Sequence, residues 1–267
     1  GTMYNTISMT QFAASITGAM NAERPQMAQE SAKVVQEVIR QQAPEGVDRV
    51  MIYNPDAVGM WLFQKYTEDF APVLKNVQLG IPVKTVMPSV TPVCFGTMYT
   101  GVLPQVHGIM KYEKHVITTD SLFDALPRQG KKVAIVAVEG SSMAIIFGER
   151  NVDYYILPYD EDVTNKALEL IKEDRYDLIA VYNQEYDDQM HATGVESEAS
   201  MKALHHHIES FDRLANAVKE NWKDHNSLVC WATDHGIHQM ENGHGNHGDD
   251  IEEDMNVMHF YGVYPRR

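Results

Sequence analysis

Four short runs of nearly unbroken apolar residues punctuate this chain, at residues 49–53, 132–138, 176–182 and 227–232. A strand with one wet face alternates apolar and polar side chains, so strands without alternation are covered on both faces. Between the runs lie helical patterns at residues 61–74, 120–126, 163–173 and 197–222. The longest sets Met201, Leu204, Ile208, Phe211, Ala215, Val218 and Trp222 on one face, at spacings of three and four. Strands that alternate with helices in this way predict an α/β fold of three layers, α/β/α, around a largely parallel sheet. The 267 residues suffice for one large domain. No repeat, low-complexity tract or long linker divides them, so a single domain over 1–267 is expected. Residues 1–47 read as a peripheral helical N-terminal extension, with Ala28, Ala32, Val35, Val38 and Ile39 near helical spacing.

Charge narrows the partners. Against 37 Asp+Glu stand 22 Lys+Arg, a formal charge of −15, which repels polyphosphate backbones and anionic membranes. Neither a nucleic acid polymer nor a membrane is therefore expected as a partner. No run approaches the ~20 apolar residues that span a bilayer. The first basic residue is Arg24, so the start lacks the charged region of a signal peptide. Two cysteines, Cys94 and Cys230, sit in apolar stretches and read as buried small residues in a reducing compartment. The expectation is a cytoplasmic protein.

In open α/β sheets, ligands bind beyond the carboxyl ends of the strands. There the first run leads into Asn54-Pro55-Asp56, the third into Gln184 through His191, and the fourth into Thr233-Asp234-His235-Gly236. Nine of the 12 histidines lie between His191 and His247. Three strands that deliver Asp and His to one edge predict a metal site. By contrast, His205-His206-His207 lie about 100° apart on a helix, cannot converge on one ion, and read as solvated surface.

A second segment runs from Met87 to Ile109. Its Thr91-Pro92 has the form of a helix N-cap followed by proline in the first turn, where free N–H groups also suit a phosphate or sulfate oxyanion. Together with Pro88-Ser89-Val90-Thr91, Thr100-Gly101, His107-Gly108-Ile109, Asp187-x-x-x-His191, Asp234-His235-Gly236 and His247-Gly248, the order of motifs resembles a known family. It is the nucleotide pyrophosphatase/phosphodiesterase branch of the alkaline phosphatase superfamily, and the resemblance covers residues 49–264.

The resemblance implies an alkaline-phosphatase-like fold and two divalent ions about 4 Å apart. Zinc is the first expectation and manganese the second. Asp56, Thr91, Asp234 and His235 would hold one ion, and Asp187, His191 and His247 the other. Three carboxylates against two divalent ions leave net positive charge for a phosphate. Thr91 would be the nucleophile, attacking phosphorus in line to form a phosphothreonine that water then hydrolyses. The substrate would be a small phosphorylated molecule with a phosphodiester or nucleotide pyrophosphate bond. Alternatives are a non-catalytic metal- or nucleotide-binding member, a phosphomonoesterase, a phosphonate hydrolase and a phosphomutase.

The chain also departs from the family. Ala57 stands where a glycine follows the first Asp, and Lys111-Tyr112 replace an Asn that binds phosphate, which makes them candidate substrate contacts. Only 11 residues separate His235 from His247, so the cap is minimal or comes from another subunit. Cys94-Phe95-Gly96 lacks the sulfatase signature. His244 is the second choice for the last ligand. His238 and Asp254 are candidate supporting residues, and Ser141-Ser142 either touches substrate or closes a turn, the turn being the expectation.

Overall fold

The computed structural model describes residues 7–267. What was expected of residues 1–6, including their place in the N-terminal extension, lies outside the described residues. The strands in chain order are β1 (Arg49–Pro55), β2 (Leu79–Lys84), β3 (Val133–Val138), β4 (Asp153–Leu157), β5 (Leu178–Asn183) and β6 (Ser227–Ala232). The short β7 (His238–Gln239) and β8 (Gly245–Asn246) follow, then β9 (Asn256–Tyr264). Seven of them form one sheet in the order β2-β9-β6-β1-β5-β3-β4, while β7 and β8 pair as a separate hairpin. β1 runs parallel to both β5 and β6, and β3 parallel to β4 and β5. Only β9 runs against its neighbours in this sheet.

Every residue of β3, β5 and β6 is buried. Burial on both faces requires a layer of helices on each side, the α/β/α arrangement that the unbroken apolar runs predict. Three strands with aromatic, histidine or glycine interruptions (β2, β4 and β9) complete the sheet beyond the four expected ones. Among the described residues no helix is long and apolar enough to cross a membrane.

Three expectations are corrected. First, the N-terminal segment is not peripheral. Its helix Phe12–Ala19 buries seven of eight residues, because it is apolar on nearly every side. Phe12 meets Tyr99 and His259 edge-on, at ring separations of 6.0 and 5.6 Å. Second, the helix expected over 61–74 is broken into Met60–Lys65, a 3-10 turn Thr67–Phe70 and Ala71–Leu74. Pro72 sits in the first turn of the last piece, where its missing N–H costs nothing.

Third, His207 is buried, not solvated. The helix Glu198–Asn221 buries Leu204, His207, Ile208 and Phe211 on one face, so His207 follows the same three-and-four spacing as its apolar neighbours. Its Nε2 accepts the Tyr186 N–H at 3.1 Å, and its Nδ1 lies 3.0 Å from the Tyr53 hydroxyl. His205 and His206 do lie on the surface.

Candidate metal centre and nucleophile

The sheet order sets β6, β1 and β5 side by side, so their carboxyl ends bring the three expected groups together. Asp56 follows β1, and Asp234 and His235 follow β6. Beyond β5 the helix Glu185–Thr193 carries Asp187 and His191, four residues apart and hence on one face. The β7–β8 hairpin returns the chain to His247, and it is all that lies between the last two histidines of the cluster. Thr91 is the first residue of the helix Thr91–Thr100, with Pro92 second. Val90 takes the cap position, one residue before the expected one, and Thr91 makes no capping bond. Its hydroxyl faces Asp56 and His235 instead.

The distances fall into two triangles. Thr91 Oγ1 lies 3.4 Å from Asp56 Oδ1 and 3.2 Å from His235 Nε2, and the latter two are 3.3 Å apart. Asp234 Oδ2 lies 3.2 Å from the same His235 nitrogen. In the second triangle Asp187 Oδ1 lies 3.2 Å from His191 Nε2 and 3.4 Å from His247 Nε2, and the two nitrogens are 3.2 Å apart. The rings of His235 and His247 stack at 3.8 Å and join the two groups.

These residues fit divalent cations. Four N and O ligands at ~2.0–2.1 Å around a tetrahedral ion stand about 3.3 Å from one another, close to the edges observed. Asp187 Oδ1 and Asp234 Oδ2 are buried without a hydrogen bond, an arrangement that is costly unless a cation meets them. His235 Nδ1 donates to the Gly236 carbonyl at 2.8 Å and His247 Nδ1 to the Ser89 carbonyl at 2.7 Å, which leaves both Nε2 lone pairs for the cluster.

Charge tells the same story. Burial, then Asp187 and Asp234, push the Asp56 carboxyl well above its ordinary range. Burial would raise Asp187 too, but His191 and His247 hold it below the usual carboxylate range. Burial opposes a charged His235, yet Asp234 and Asp56 overcome it and raise that imidazole well above its ordinary value. Without cations, protons must offset the buried carboxylates.

Side chains around the cluster hold it in place. The Tyr182 hydroxyl donates to Asp56 Oδ2. The Ala57 N–H donates to Asp234 Oδ1 at 3.0 Å, and Ala57 adopts φ +71° to do so. The left-handed conformation costs an L-residue ~1 kcal/mol or more. Asp254, fully buried, accepts His238 Nδ1 at 2.8 Å and the Asp249 N–H at 3.0 Å, closing the loop that carries His247. His244 turns away from the cluster, its Nδ1 2.9 Å from the His191 carbonyl oxygen.

In front of Thr91 opens a cavity of about 210 Å³. Tyr112 lines it; Lys111 does not, and its ammonium lies on the surface 3.9 Å from Glu113. Lys114, Ser141 and Ser142 also line the cavity. In the sequence Tyr182 reads as one more apolar strand residue.

Residues 54–264 match the sequence model of a family described as type I phosphodiesterase / nucleotide pyrophosphatase. No curated protein matches the chain. Among solved structures it resembles murine ectonucleotide pyrophosphatase / phosphodiesterase 5, an inactive threonine-to-alanine variant in complex with AMP. The TM-score is 0.57 at 19% identity, over 73% of this chain and 58% of that one. The human counterpart gives 0.55 at 18% identity, over 72% and 58%. Phosphonoacetate hydrolase from Sinorhizobium meliloti, in complex with phosphonoformate, gives 0.51 at 14% identity, over 71% and 56%. The chain thus spans less than three-fifths of the length of these relatives, and at such identities the likeness is one of fold.

Proposed function

Because the chain belongs to the type I phosphodiesterase / nucleotide pyrophosphatase family, we propose that it is a metal-dependent hydrolase of phosphate esters, foremost phosphodiester or pyrophosphate bonds, with Thr91 as nucleophile. The observation that carries this reading is the pair of ligand triangles with a hydroxyl at one corner. A threonine there has no capping duty, and its oxygen borders both the cavity and the carboxylate cluster.

Asp56, Thr91, Asp234 and His235 would hold one divalent ion, and Asp187, His191 and His247 a second. Bound ions would supply Lewis-acid charge that lowers the hydroxyl pKa and offsets charge on the phosphoryl oxygens. The residues do the rest. Thr91 Oγ1 attacks phosphorus in line, the bond to the leaving oxygen breaks on the far side, and the hydroxyl proton is lost to solvent. The free N–H groups in the first turn of the Thr91–Thr100 helix favour a phosphoryl oxygen beside the nucleophile. Water then cleaves the phosphothreonine and restores Thr91. Tyr182 positions Asp56, and the Ser89 and Gly236 carbonyls fix the tautomers of His247 and His235.

The test pairs metal analysis with a panel of nitrophenyl phosphate mono- and diesters. Thr91→Ala is expected to keep its fold and metal and lose turnover by several orders of magnitude. Thr91→Ser should retain measurable activity. Phosphate trapped on Thr91 after an acid quench would support the covalent route. A folded, metal-loaded Thr91→Ala protein with wild-type turnover would remove Thr91 from the mechanism.

A further inference from the structure

The helix Glu185–Thr193, which carries Asp187 and His191, starts without a cap of its own. Gln184 stands at its N-cap, and the Gln184 side chain makes no capping bond. The first backbone N–H groups of a helix have no partner within it, and one left unpaired in the interior is costly. Here side chains of two other helices take them. Asp160, the first residue of the helix Asp160–Glu173, accepts the Gln184 N–H on Oδ1 and the Glu185 N–H on Oδ2, each at 2.9 Å. His207 accepts the next N–H, that of Tyr186. Beside Asp160, the Tyr159 hydroxyl donates to Asp188 Oδ2 at 2.6 Å.

The residue type matters. Taking two adjacent N–H groups at once needs two acceptor oxygens; an asparagine offers one, and its amide would face the other N–H as a second donor. A carboxylate is also favoured where helix N-termini converge. Burial raises the Asp160 carboxyl to about 7, although the two N–H donors hold it down. Asp187 stands two residues beyond Glu185, and His191 one turn further. A shift at the start of the helix is therefore carried to both, and away from His247 on its separate hairpin. Asp56, Thr91, Asp234 and His235 depend instead on β1, β6 and the Thr91–Thr100 helix.

Resting on the reading of Asp187, His191 and His247 as the ligands of one divalent ion, we infer that Asp160 is a positioning residue for that ion. It holds the ligand-bearing helix by the N–H groups of Gln184 and Glu185, with Tyr159 as a second hold on Asp188. Loss of the hold loosens one ion and spares the other.

The test is a chelator competition on zinc-saturated protein, at a pH well above 7 so that Asp160 is ionised. Wild type, Asp160→Asn, His191→Ala and the double variant are compared. Asp160→Asn is expected to keep its fold, because the Tyr186 N–H still meets His207 and the Tyr186 hydroxyl the Val195 carbonyl. It should weaken one of the two ions roughly tenfold, the scale of a lost supporting bond, and leave the other within about twofold. On the His191→Ala background Asp160→Asn should change nothing, since the site through which it acts is gone. A merely structural residue would weaken the remaining ion there as well. Turnover of Asp160→Asn should fall at limiting zinc and return toward the wild-type kcat at excess zinc. Tyr159→Phe should give the same selective loss, severalfold, and decides the matter should Asp160→Asn not fold. Equal weakening of both ions, an effect that persists in His191→Ala, or no weakening at all would overturn the inference and leave the two-ion reading standing. One ion or none in the wild type would overturn both.

Discussion

Asp56, Thr91, Asp234 and His235 stand at strand ends and the first turn of a buried helix, and none is more than 6% exposed. Asp187, His191 and His247 stand on a helix and a hairpin return, and the His191 side chain is 40% exposed. The first group is thus part of the core, held by β1, β6 and the Thr91–Thr100 helix. The second hangs on elements outside the sheet, with His247 6% and Asp187 17% exposed, so only His191 opens widely to solvent. A chemistry that must hold its nucleophile still and let product leave is served by this asymmetry. The rigid half would position the attacking oxygen, and the looser half would exchange solvent.

The largest expected effect distinguishes the halves directly. His235→Ala removes the nitrogen that touches Thr91, Asp56 and Asp234 and leaves buried carboxylates without their counter-charge. It should abolish binding of both ions and lower Tm markedly. His191→Ala should leave a folded protein with one ion fewer. Metal content and melting curves of the two variants check this, and equal losses would break the distinction.

Next in size is Tyr182→Phe, which removes the hydroxyl that holds Asp56. Loss of such a supporting bond typically costs 10–100-fold in metal affinity. A chelator competition should show that loss at the buried half while the exposed half keeps its affinity.

The exposed half has an acid-sensitive anchor. His207 accepts the Tyr186 N–H at the start of the helix that carries Asp187 and His191. Burial, and then the nearby His206, lower its pKa to about 3. An unfolded histidine titrates near 6.5. From about pH 6.5 down to about 3 the unfolded chain therefore binds a proton that the folded chain refuses, and stability falls as pH falls. The slope from this residue is at most ~1.4 kcal/mol per pH unit. Denaturation of His207→Gln across that window should show a shallower acid loss than wild type, despite lower stability at pH 7.

The smallest effect is expected at Ala57. Ala57→Gly relieves the left-handed backbone beside Asp234 but adds freedom to the unfolded chain, so the net gain should be below ~1 kcal/mol. A melting comparison reads it, and a clear destabilisation would show that the conformation carries no strain.

The same contrast explains what the sequence revealed. β6 appears where the apolar run 227–232 predicts it, because a strand buried on both faces leaves no polar interruption to obscure it. β9 is equally interior but contains Asn256, His259 and Gly262, each paired or packed in ways no single-residue preference foretells. The helix Phe12–Ala19 lies near the start of the chain, yet its apolar content takes it into the core. His207 sits in a polar run of three histidines, but its spacing links it to buried Leu204 and Phe211. The rigid half of the centre lies at strand ends, where periodicity is informative. The cavity wall comes from the loop around Lys114 and the turn at Ser141-Ser142, where it is not.

The central claim is that the seven groups form two cation sites. The most direct measurement is elemental analysis of protein saturated with zinc and then freed of excess ion, beside an Asp187→Asn, His191→Ala double variant. The account predicts two equivalents in the wild type and one in the variant. One equivalent or none in the wild type would contradict it.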